Sequence, residues 1–312
     1  MLKNSKRLCV FAHFNPQFRV AEYVFYYLQR LHDDVNADII FSSTSAIPTA
    51  DRARLEALCL YIVIRKNQGY DFGSWQDGLH ALSHEQLLEY DEIIIANDSC
   101  YGPLVPFTEM WEEMDKRICD FWGITDCIIY SRYIESYFIV FRRTAFQSQA
   151  FVRFWENIPV LKYKHDVVTQ CEQRLTRMLV AGGLRYSVYI SYNYVQRFWF
   201  GCKYKWRVVV SIFYSKNRQF INNKLQPVTA EETGRRMRIL YGVRKVIRLL
   251  APFHSNIQLL IPMRLICREK TVPVIKKMLI KQNPLCVRIP DDPYRNGDSL
   301  PNRFYTINSE IL

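Results

Sequence analysis

Residues 65–73 of this 312-residue chain, RKNQGYDFG, combine side chains and glycines suited to binding a phosphorylated ligand. The two glycines and Asn67 let the backbone approach a ligand closely. Arg65 and Lys66 can balance the charge of a diphosphate, and Asp71 can bind a nucleoside or sugar hydroxyl. The segment lacks both the GK[ST] of a Walker loop and the G-x-G-x-x-G spacing of a dinucleotide-binding loop. A tight turn with no ligand is an equally good interpretation of this segment alone.

A second polar segment, Asn97-Asp98-Ser99, ends a strongly apolar run and precedes Tyr101-Gly102-Pro103. A carboxylate at the end of a buried strand is placed to hold a divalent ion that bridges two phosphates, so Asp98 is the candidate metal ligand. Asn, Asp and Ser also cap turns and helices, which is the alternative role for Asp98. The position at a strand end favours ligand binding.

Two carboxylates are candidates for a general base, which contributes roughly 10²–10⁴-fold to a rate. Glu172 begins a helical run that ends in Ala181-Gly182-Gly183, and Asp126 ends the sequence WGITD. An acid at a helix start can instead be no more than a partner of the helix dipole. The pattern alone does not separate Glu172 from Asp126. His13 and His165 are further possible ligands.

The first 200 residues alternate short apolar strands with amphipathic helices. This alternation predicts an α/β fold with a mostly parallel sheet covered on both faces. Ligands of such sheets bind outside the carboxyl ends of the strands, so we expect the loops at 13–16, 65–73 and 97–103 to converge. The predicted strands are 8–14, 37–41, 60–64 and 92–96, with a hydrophobic segment at 136–141. The predicted helices are 20–31, 49–58, one within 73–82, 144–157 and 167–181.

The net charge of +12 is concentrated in the last third of the chain. Residues 1–200 carry 21 Lys and Arg against 23 Asp and Glu, whereas residues 201–312 carry 21 against 7. Such a basic region attracts anionic lipid, a lipid-linked diphosphate or nucleic acid, or is a solvated surface without a partner. A predicted strand at 207–214 is followed by a basic amphipathic segment at 233–250, which fits either a membrane interface or a docked surface helix. A nucleic-acid partner is disfavoured because no recognised nucleic-acid motif is present.

The remaining composition indicates a globular protein, with 49% hydrophobic and 23% charged residues. Nine scattered cysteines without a CxxC pair argue against a disulfide framework or a zinc site. The first residues predict a strand and not a signal peptide, and no apolar stretch approaches 18 residues. We therefore expect a cytoplasmic location.

Six segments together resemble the rhamnan synthesis protein F family of polysaccharide glycosyltransferases. They occur in the family's order and span roughly residues 8–285. The matching segments are 65–75, 97–103, FWGITD at 121–126, SYFIVFR at 136–142, the 172–183 helix, and VPVIKK at 272–277 with KQNP at 281–284.

The resemblance implies a GT-A-like, Rossmann-like catalytic domain over residues 1–200 and a basic region over 201–312 for acceptor or membrane-surface contact. It implies a glycosyltransferase on the inner face of the plasma membrane that transfers L-rhamnose from dTDP-L-rhamnose, with inversion, to a lipid-linked polysaccharide such as O-antigen. A non-catalytic glycan-assembly or glycan-binding protein with a transferase fold is the alternative. The expected nucleotide-sugar contacts are Arg65, Asn67, Gly69, Tyr70, Asp71, Gly73, Asn97 and Asp98.

The resemblance also bears on catalysis. Glu172 falls where many inverting enzymes carry their base, so we prefer it to Asp126. The usual Asp-x-Asp is here Asn97-Asp98-Ser99, with one carboxylate instead of two. Both Mg²⁺ or Mn²⁺ at Asp98 and a basic side chain are therefore candidates for stabilising the leaving diphosphate.

Overall fold

The computed structural model describes residues 5–127, 132–161, 163–191 and 273–277. Within these ranges the strands are β1 (Arg7–His13), β2 (Ala37–Ser43), β3 (Tyr61–Ile64), β4 (Glu92–Asn97), β5 (Cys100–Tyr101), β6 (Phe121–Cys127), β7 (Tyr133–Ile134), β8 (Phe138–Arg142), β9 (Tyr186–Ile190) and β10 (Ile275–Lys276). The α-helices are α1 (Glu22–Val35), α2 (Thr49–Glu56), α3 (Tyr70–Leu79), α4 (His84–Leu88), α5 (Phe107–Met114), α6 (Arg143–Phe146), α7 (Gln149–Glu156), α8 (Lys164–Val167) and α9 (Gln173–Ala181). A π-helical turn, Val168–Glu172, joins α8 to α9.

The central sheet has the strand order β3-β2-β1-β4-β8-β6-β7, and β9 also pairs with β6. The pairs β3–β2, β2–β1, β1–β4 and β6–β9 are parallel. β8 runs antiparallel to both β4 and β6, and β7 runs antiparallel to β6. The expected α/β fold with a mostly parallel sheet flanked by helices is confirmed.

Alternate side chains of the buried strands pack on opposite faces of the sheet, as the two-residue period of a strand requires. In β1, Cys9 and Phe11 face one apolar layer with α1 and α5. Leu8 and Val10 face the other layer, which contains residues of α3, α7 and α9. Because both faces are covered, the strands are apolar throughout, which explains why the sequence revealed them.

The parallel strands bring their carboxyl ends to one edge of the sheet. In the register of β1 with β4, Ala12 lies opposite Asn97. In the register of β1 with β2, His13 lies opposite Ser43. The backbone N–H of Asp98 then donates to the carbonyl of Ala12 at 3.1 Å, which continues the pairing one residue past β4. Asp98 is therefore fixed at this edge.

Residues 273–277, here called the closing segment, pair with the run that follows β4. β10 is antiparallel to β5, with Ile275 opposite Tyr101. The backbone N–H of Leu104 donates to the carbonyl of Pro273 at 2.7 Å. A Cβ on Gly102 would lie 2.7 Å from the same carbonyl oxygen, so only glycine permits this approach. The closing segment thus lies directly beside the 97–103 segment.

Among the elements whose boundaries differ from the sequence prediction are three helices. α3 begins at Tyr70, three residues before the predicted start at 73, because Gly69 adopts the left-handed conformation (φ 73°) that permits the turn into the helix. The predicted helix 144–157 is divided into α6 and α7, since Ser148 caps α7 through its side chain. The predicted helix 167–181 contains the π-helical turn before α9.

The predicted strand at 207–214, the basic amphipathic segment at 233–250 and the family motif at 281–284 lie outside the described residues. Among the residues that are described, no helix combines the length and apolar character needed to cross a bilayer. The proposed division into a domain at 1–200 and a basic region at 201–312 stays a prediction.

We predict that Gly78→Ala destabilises the protein by roughly 1–3 kcal/mol, as overpacking of a core commonly does. A Cβ at Gly78 would lie 2.3 Å from Cγ1 of Val10, so α3 would have to move off β1. Thermal unfolding measures the change. The exposed His80, which ends the same helix, provides the control His80→Ala. Equal melting temperatures for Gly78→Ala and the wild type would contradict this packing.

Candidate functional site

A side-chain hydrogen bond joins the two polar segments that follow β3 and β4. The Nδ2 of Asn97 donates to Oδ2 of Asp71 at 2.9 Å. The Oδ1 of Asn97 accepts from the backbone N–H of Ser99 at 3.2 Å, so the amide is held from both sides. Asn97 is buried, which adds to the importance of these bonds. The segments that begin at Asn67 and Asn97 therefore meet at one edge of the sheet, as the sequence predicted.

The start of α3 holds its position through backbone conformation and one buried ring. Gly69 and Tyr70 both have positive φ angles, 73° and 53°, and turn the chain sharply from the loop into the helix. The indole Nε1–H of Trp75 donates to the carbonyl of Ala96 at 2.8 Å, which ties α3 to the end of β4. Lys66 and Asn67 are exposed on the loop, as is Tyr70. Exposed groups at this edge are available to a ligand.

Arg65 contributes to the shape of the loop. Its Nη1 donates to the carbonyl of Gln68 at 2.7 Å, and its Nε donates to the carboxylate of Asp77. A Cβ on Gly73 would lie 2.7 Å from Nη2 of Arg65, so the glycine makes room for the guanidinium. In this arrangement Arg65 stabilises the 65–73 segment from within, and its predicted contact with a diphosphate stays a prediction.

Asp98, Tyr23 and Lys277 form a cluster of three polar side chains. The Nζ of Lys277 lies 3.3 Å from Oδ2 of Asp98 and donates to the Tyr23 hydroxyl at 2.6 Å. The Tyr23 hydroxyl lies 3.0 Å from the carbonyl oxygen of Asp98 and 3.4 Å from Oδ2. The side chain of Asp98 is 14% exposed, so this carboxylate reaches the surface of the site.

His13 lies at the same edge and leaves one ring nitrogen available. Its Nδ1 is 3.0 Å from Oγ of Ser43. Because the Ser43 hydroxyl donates to the carbonyl of Ser45, it accepts from His13, so Nδ1 carries the proton. Burial lowers the pKa of His13, which keeps the ring neutral. The buried Nε2 has no hydrogen-bond partner among the described residues, and as an acceptor it suits a ligand hydroxyl.

Glu172 is held in a single orientation by Ser136. Its Oε1 accepts from the Ser136 backbone N–H at 2.7 Å and from the Ser136 hydroxyl at 2.8 Å. Burial raises the pKa of Glu172 above its ordinary value, while Lys276 and Ser136 oppose this effect. A carboxylate with a raised pKa is a stronger base than an exposed one, which is the property a general base requires.

Lys276 pairs with a buried carboxylate, Glu135, and also acts electrostatically on Glu172. The Nζ of Lys276 lies 3.3 Å from Oε1 of Glu135, whose Oε2 accepts from the Thr125 hydroxyl at 2.6 Å. Burial lowers the pKa of Lys276, but Glu135 and Glu172 outweigh it and leave the pKa above its ordinary value. Lys276 and Lys277 are consecutive, so the closing segment contributes one lysine to the Glu135 cluster and one to the Asp98 cluster.

Asp126, the rival candidate base, has a different environment. Its side chain is 0% exposed, and Oδ2 accepts from Nε of Arg132 at 2.6 Å. The arginine occupies Oδ2, and burial keeps the carboxylate away from an acceptor hydroxyl. Asp126 is thus less accessible to an acceptor hydroxyl than the half-buried Glu172.

Sequence reasoning missed five residues of the site. Lys277 and Lys276 were noted only as part of a family motif, and Tyr23 only as part of an amphipathic helix. Glu135 stands between two apolar segments, Tyr133–Ile134 and 138–142, and this isolated acid was the available signal. Ser136 was noted only within its motif. His165 was also considered, but its side chain lies outside the described residues.

The described residues do not fit a protein-bound divalent ion at Asp98. Mg²⁺ and Ca²⁺ take several oxygen ligands, and Asp98 offers one carboxylate. No group of three or more His, Cys, Asp or Glu side chains in the described ranges is arranged to hold a metal. The ammonium group of Lys277 already lies beside Oδ2 of Asp98. Among the described residues, this ammonium group is the cation beside Asp98.

The fold and the site define an α/β protein with a cluster of polar and charged side chains at the carboxyl edge of its parallel strands. The model of one family, rhamnan synthesis protein F, matches residues 39–212, more than half of the chain. The chain belongs to this family, as its motifs predicted.

A curated relative is the uncharacterized protein y4gN of Sinorhizobium fredii, 27% identical over 143 residues. The match covers 45% of this chain and 37% of the relative, so the chain spans little more than a third of that protein.

Solved structures with a similar fold are more distant. A mannosyltransferase of Pyrobaculum calidifontis, in complex with GDP-Man and Mn²⁺, is 7% identical, with a TM-score of 0.37 over 64% of this chain and 61% of its own. Glucosyl-3-phosphoglycerate synthase of Mycobacterium tuberculosis, with Mn²⁺ and UDP-glucose, is 11% identical, with a TM-score of 0.33 over 57% and 78%. The mannosyltransferase Ktr4p of S. cerevisiae is 6% identical, with a TM-score of 0.33 over 49% and 60%. The family assignment rests on the sequence match.

We predict that Glu172→Gln raises the melting temperature at neutral pH. A raised pKa means that the folded state favours the protonated carboxyl, so ionisation above the folded pKa lowers stability. Glutamine keeps the acceptor for Ser136 without the charge. The stabilisation should shrink as the pH falls through the raised pKa of the folded state, and should be gone below about 4, where the carboxyl is protonated in both states.

Thermal unfolding across this pH range measures the effect. The matched control is Glu56→Gln, which changes a carboxylate on the exposed surface of α2. A pH-independent difference between Glu172→Gln and the wild type would contradict the raised pKa.

Proposed function

We propose that this protein is a GT-A-like glycosyltransferase that transfers L-rhamnose from dTDP-L-rhamnose, with inversion, to a hydroxyl of a lipid-linked glycan. The observation that carries the proposal is the junction of the 65–73 and 97–99 segments through Asn97 and Asp71. Beside this junction Asp98 pairs with Lys277, and the preceding residue, Lys276, acts electrostatically on Glu172. Membership of the rhamnan synthesis protein F family supports the same reaction class.

The nucleotide part of the donor is assigned to the edge formed by β1 and the start of α3. Asn67, Gly69, Tyr70, Asp71 and Gly73 provide backbone and polar side-chain groups for the nucleoside. Phe14, directly after β1, is 48% exposed and Tyr70 is 41% exposed, so aromatic faces are available for stacking. The acceptor nitrogen of His13 suits a hydroxyl of a ribose or sugar.

The reaction is a single in-line displacement. The acceptor oxygen forms a bond to the anomeric carbon while the bond from that carbon to the β-phosphate oxygen breaks. The electron pair of the broken bond stays with the diphosphate, and the acceptor proton passes to the carboxylate of Glu172. The sugar acquires oxocarbenium character in the transition state, as in glycoside hydrolysis. Ser136 serves to aim the Glu172 carboxylate.

The acceptor is assigned to the membrane surface. The 201–312 region carries a net charge of +14 and would approach anionic lipid and the diphosphate of a lipid-linked glycan. In this proposal the protein is peripheral on the inner face of the plasma membrane, and the product is a surface polysaccharide such as O-antigen in lipopolysaccharide.

We predict that Glu172→Gln lowers the transfer rate by about 10²–10⁴-fold, because the acceptor loses its general base. Asp98→Asn should also slow transfer. The assay follows a radiolabelled nucleotide sugar into lipid-linked glycan in membrane extracts, with Glu56→Gln as the surface control. Loss of transfer in Asp126→Asn but not in Glu172→Gln would assign the base to Asp126. Wild-type rates in both Asp98→Asn and Glu172→Gln would refute the proposed site.

The donor is identified by thermal-shift measurements with dTDP-, UDP- and GDP-sugars, each with and without Mn²⁺. A ligand at 100 times its Kd stabilises the folded state by about 2.7 kcal/mol. We expect the largest shift with dTDP-L-rhamnose. Stabilisation by a UDP- or GDP-sugar instead would change the donor, and nucleotide-sugar binding without turnover would favour a non-catalytic glycan-assembly protein.

A further inference from the structure

We propose that Lys277 supplies the positive charge that stabilises the leaving diphosphate, in the place that a divalent ion takes beside paired carboxylates. This inference rests on the proposed glycosyl transfer and names the group that makes the reaction independent of a metal. It assigns a catalytic contact to the closing segment, which comes after β9 in the chain and lies outside the central sheet.

The backbone fixes Lys277 at the site. Its own N–H donates to the carbonyl of Ser99 at 2.8 Å, and the preceding residue, Lys276, pairs with Cys100. Both partners belong to the run that follows β4, which also carries Asp98. The ammonium group is therefore positioned by the same segment as the carboxylate it contacts.

The ammonium group retains capacity for a ligand. An ammonium has three N–H donors. Within the described residues, two of them are directed at the Tyr23 hydroxyl and at Oδ2 of Asp98. The side chain of Lys277 is 24% exposed, so the third N–H can reach a ligand oxygen at the surface of the site.

The local charge balance turns against an anion once Lys277 is removed. His13 is kept neutral by burial, and Tyr23 is kept neutral because burial raises its pKa. Asp98 and Lys277 then form a pair with no net charge. Without Lys277, Asp98 would face a diphosphate as one anion facing another, which disfavours binding.

The two lysines of the closing segment serve different carboxylates. Lys276 contacts Glu135 and influences Glu172, whereas Lys277 contacts Asp98. As the bond from the anomeric carbon to the β-phosphate oxygen breaks, negative charge grows on the diphosphate. Lys277 donates its third N–H to that oxygen and keeps its proton, so no further reactant is needed.

The test measures binding of dTDP, UDP and GDP to the full chain by calorimetry in EDTA. The wild type should bind at least one of these diphosphates without metal. Lys277→Met and Lys277→Gln should bind it about 10-fold or more weakly, the loss expected for a charge-assisted hydrogen bond. Lys277→Arg should retain affinity within a few-fold.

Lys6→Met is the matched control, because the Lys6 side chain is 44% exposed next to the opposite end of β1, where it pairs with Glu89. It should bind as the wild type does. Melting curves of all variants establish that they are folded. The wild-type measurement needs no variant, so binding that requires added metal overturns the inference even where substitution unfolds the chain.

The inference is overturned if the wild type binds nucleoside diphosphates only with added Mn²⁺, or if folded Lys277→Met and Lys277→Gln bind as tightly as the wild type. In either case the proposed glycosyl transfer stands. If the wild type binds no diphosphate with or without Mn²⁺, the proposed function itself fails.

Discussion

The parallel pairing of β1 with β2 and β4 is the constraint on which the site depends. It brings His13, Ser43 and Asn97 to the same edge, and the bond from Asp98 N–H to Ala12 carries the pairing into the polar segment. A carboxylate on a free loop would have to be ordered at an entropic cost when ligand binds. In this protein the sheet holds the backbone of Asp98 in place before a ligand binds, which lowers that cost.

Much of this arrangement could be predicted from the sequence, because buried parallel strands are apolar on both faces. The apolar runs before His13 and Asn97 were therefore visible, and so was the polar character of the residues after each run. The start of α3 was placed too late, because glycine and a tyrosine in a left-handed conformation resemble a loop in sequence. The ligand contact assigned to Arg65 stays a prediction, and the contact of its guanidinium with its own loop, beside Gly73, was not foreseen.

The remaining site residues depend on contacts that no local pattern encodes. Lys277 is 179 positions from Asp98 in the chain, yet their charged groups lie 3.3 Å apart. Tyr23 fits the apolar face of α1, and only its hydroxyl belongs to the site. The choice between Glu172 and Asp126 similarly needed coordinates, since both are acids within family motifs and differ only in what surrounds them.

Lys276 and Lys277 are adjacent but pair with different carboxylates. Which carboxylate each lysine meets therefore depends on the register of the two-residue strand β10 against β5. If β10 slipped by one position along β5, each ammonium group would move to the wrong partner, because a one-residue shift reverses the faces of a strand. The bare backbone of Gly102 against the carbonyl of Pro273 locks that alignment, since any side chain there would push the segment away. Gly102, which has no side chain, thereby determines which carboxylate each lysine contacts.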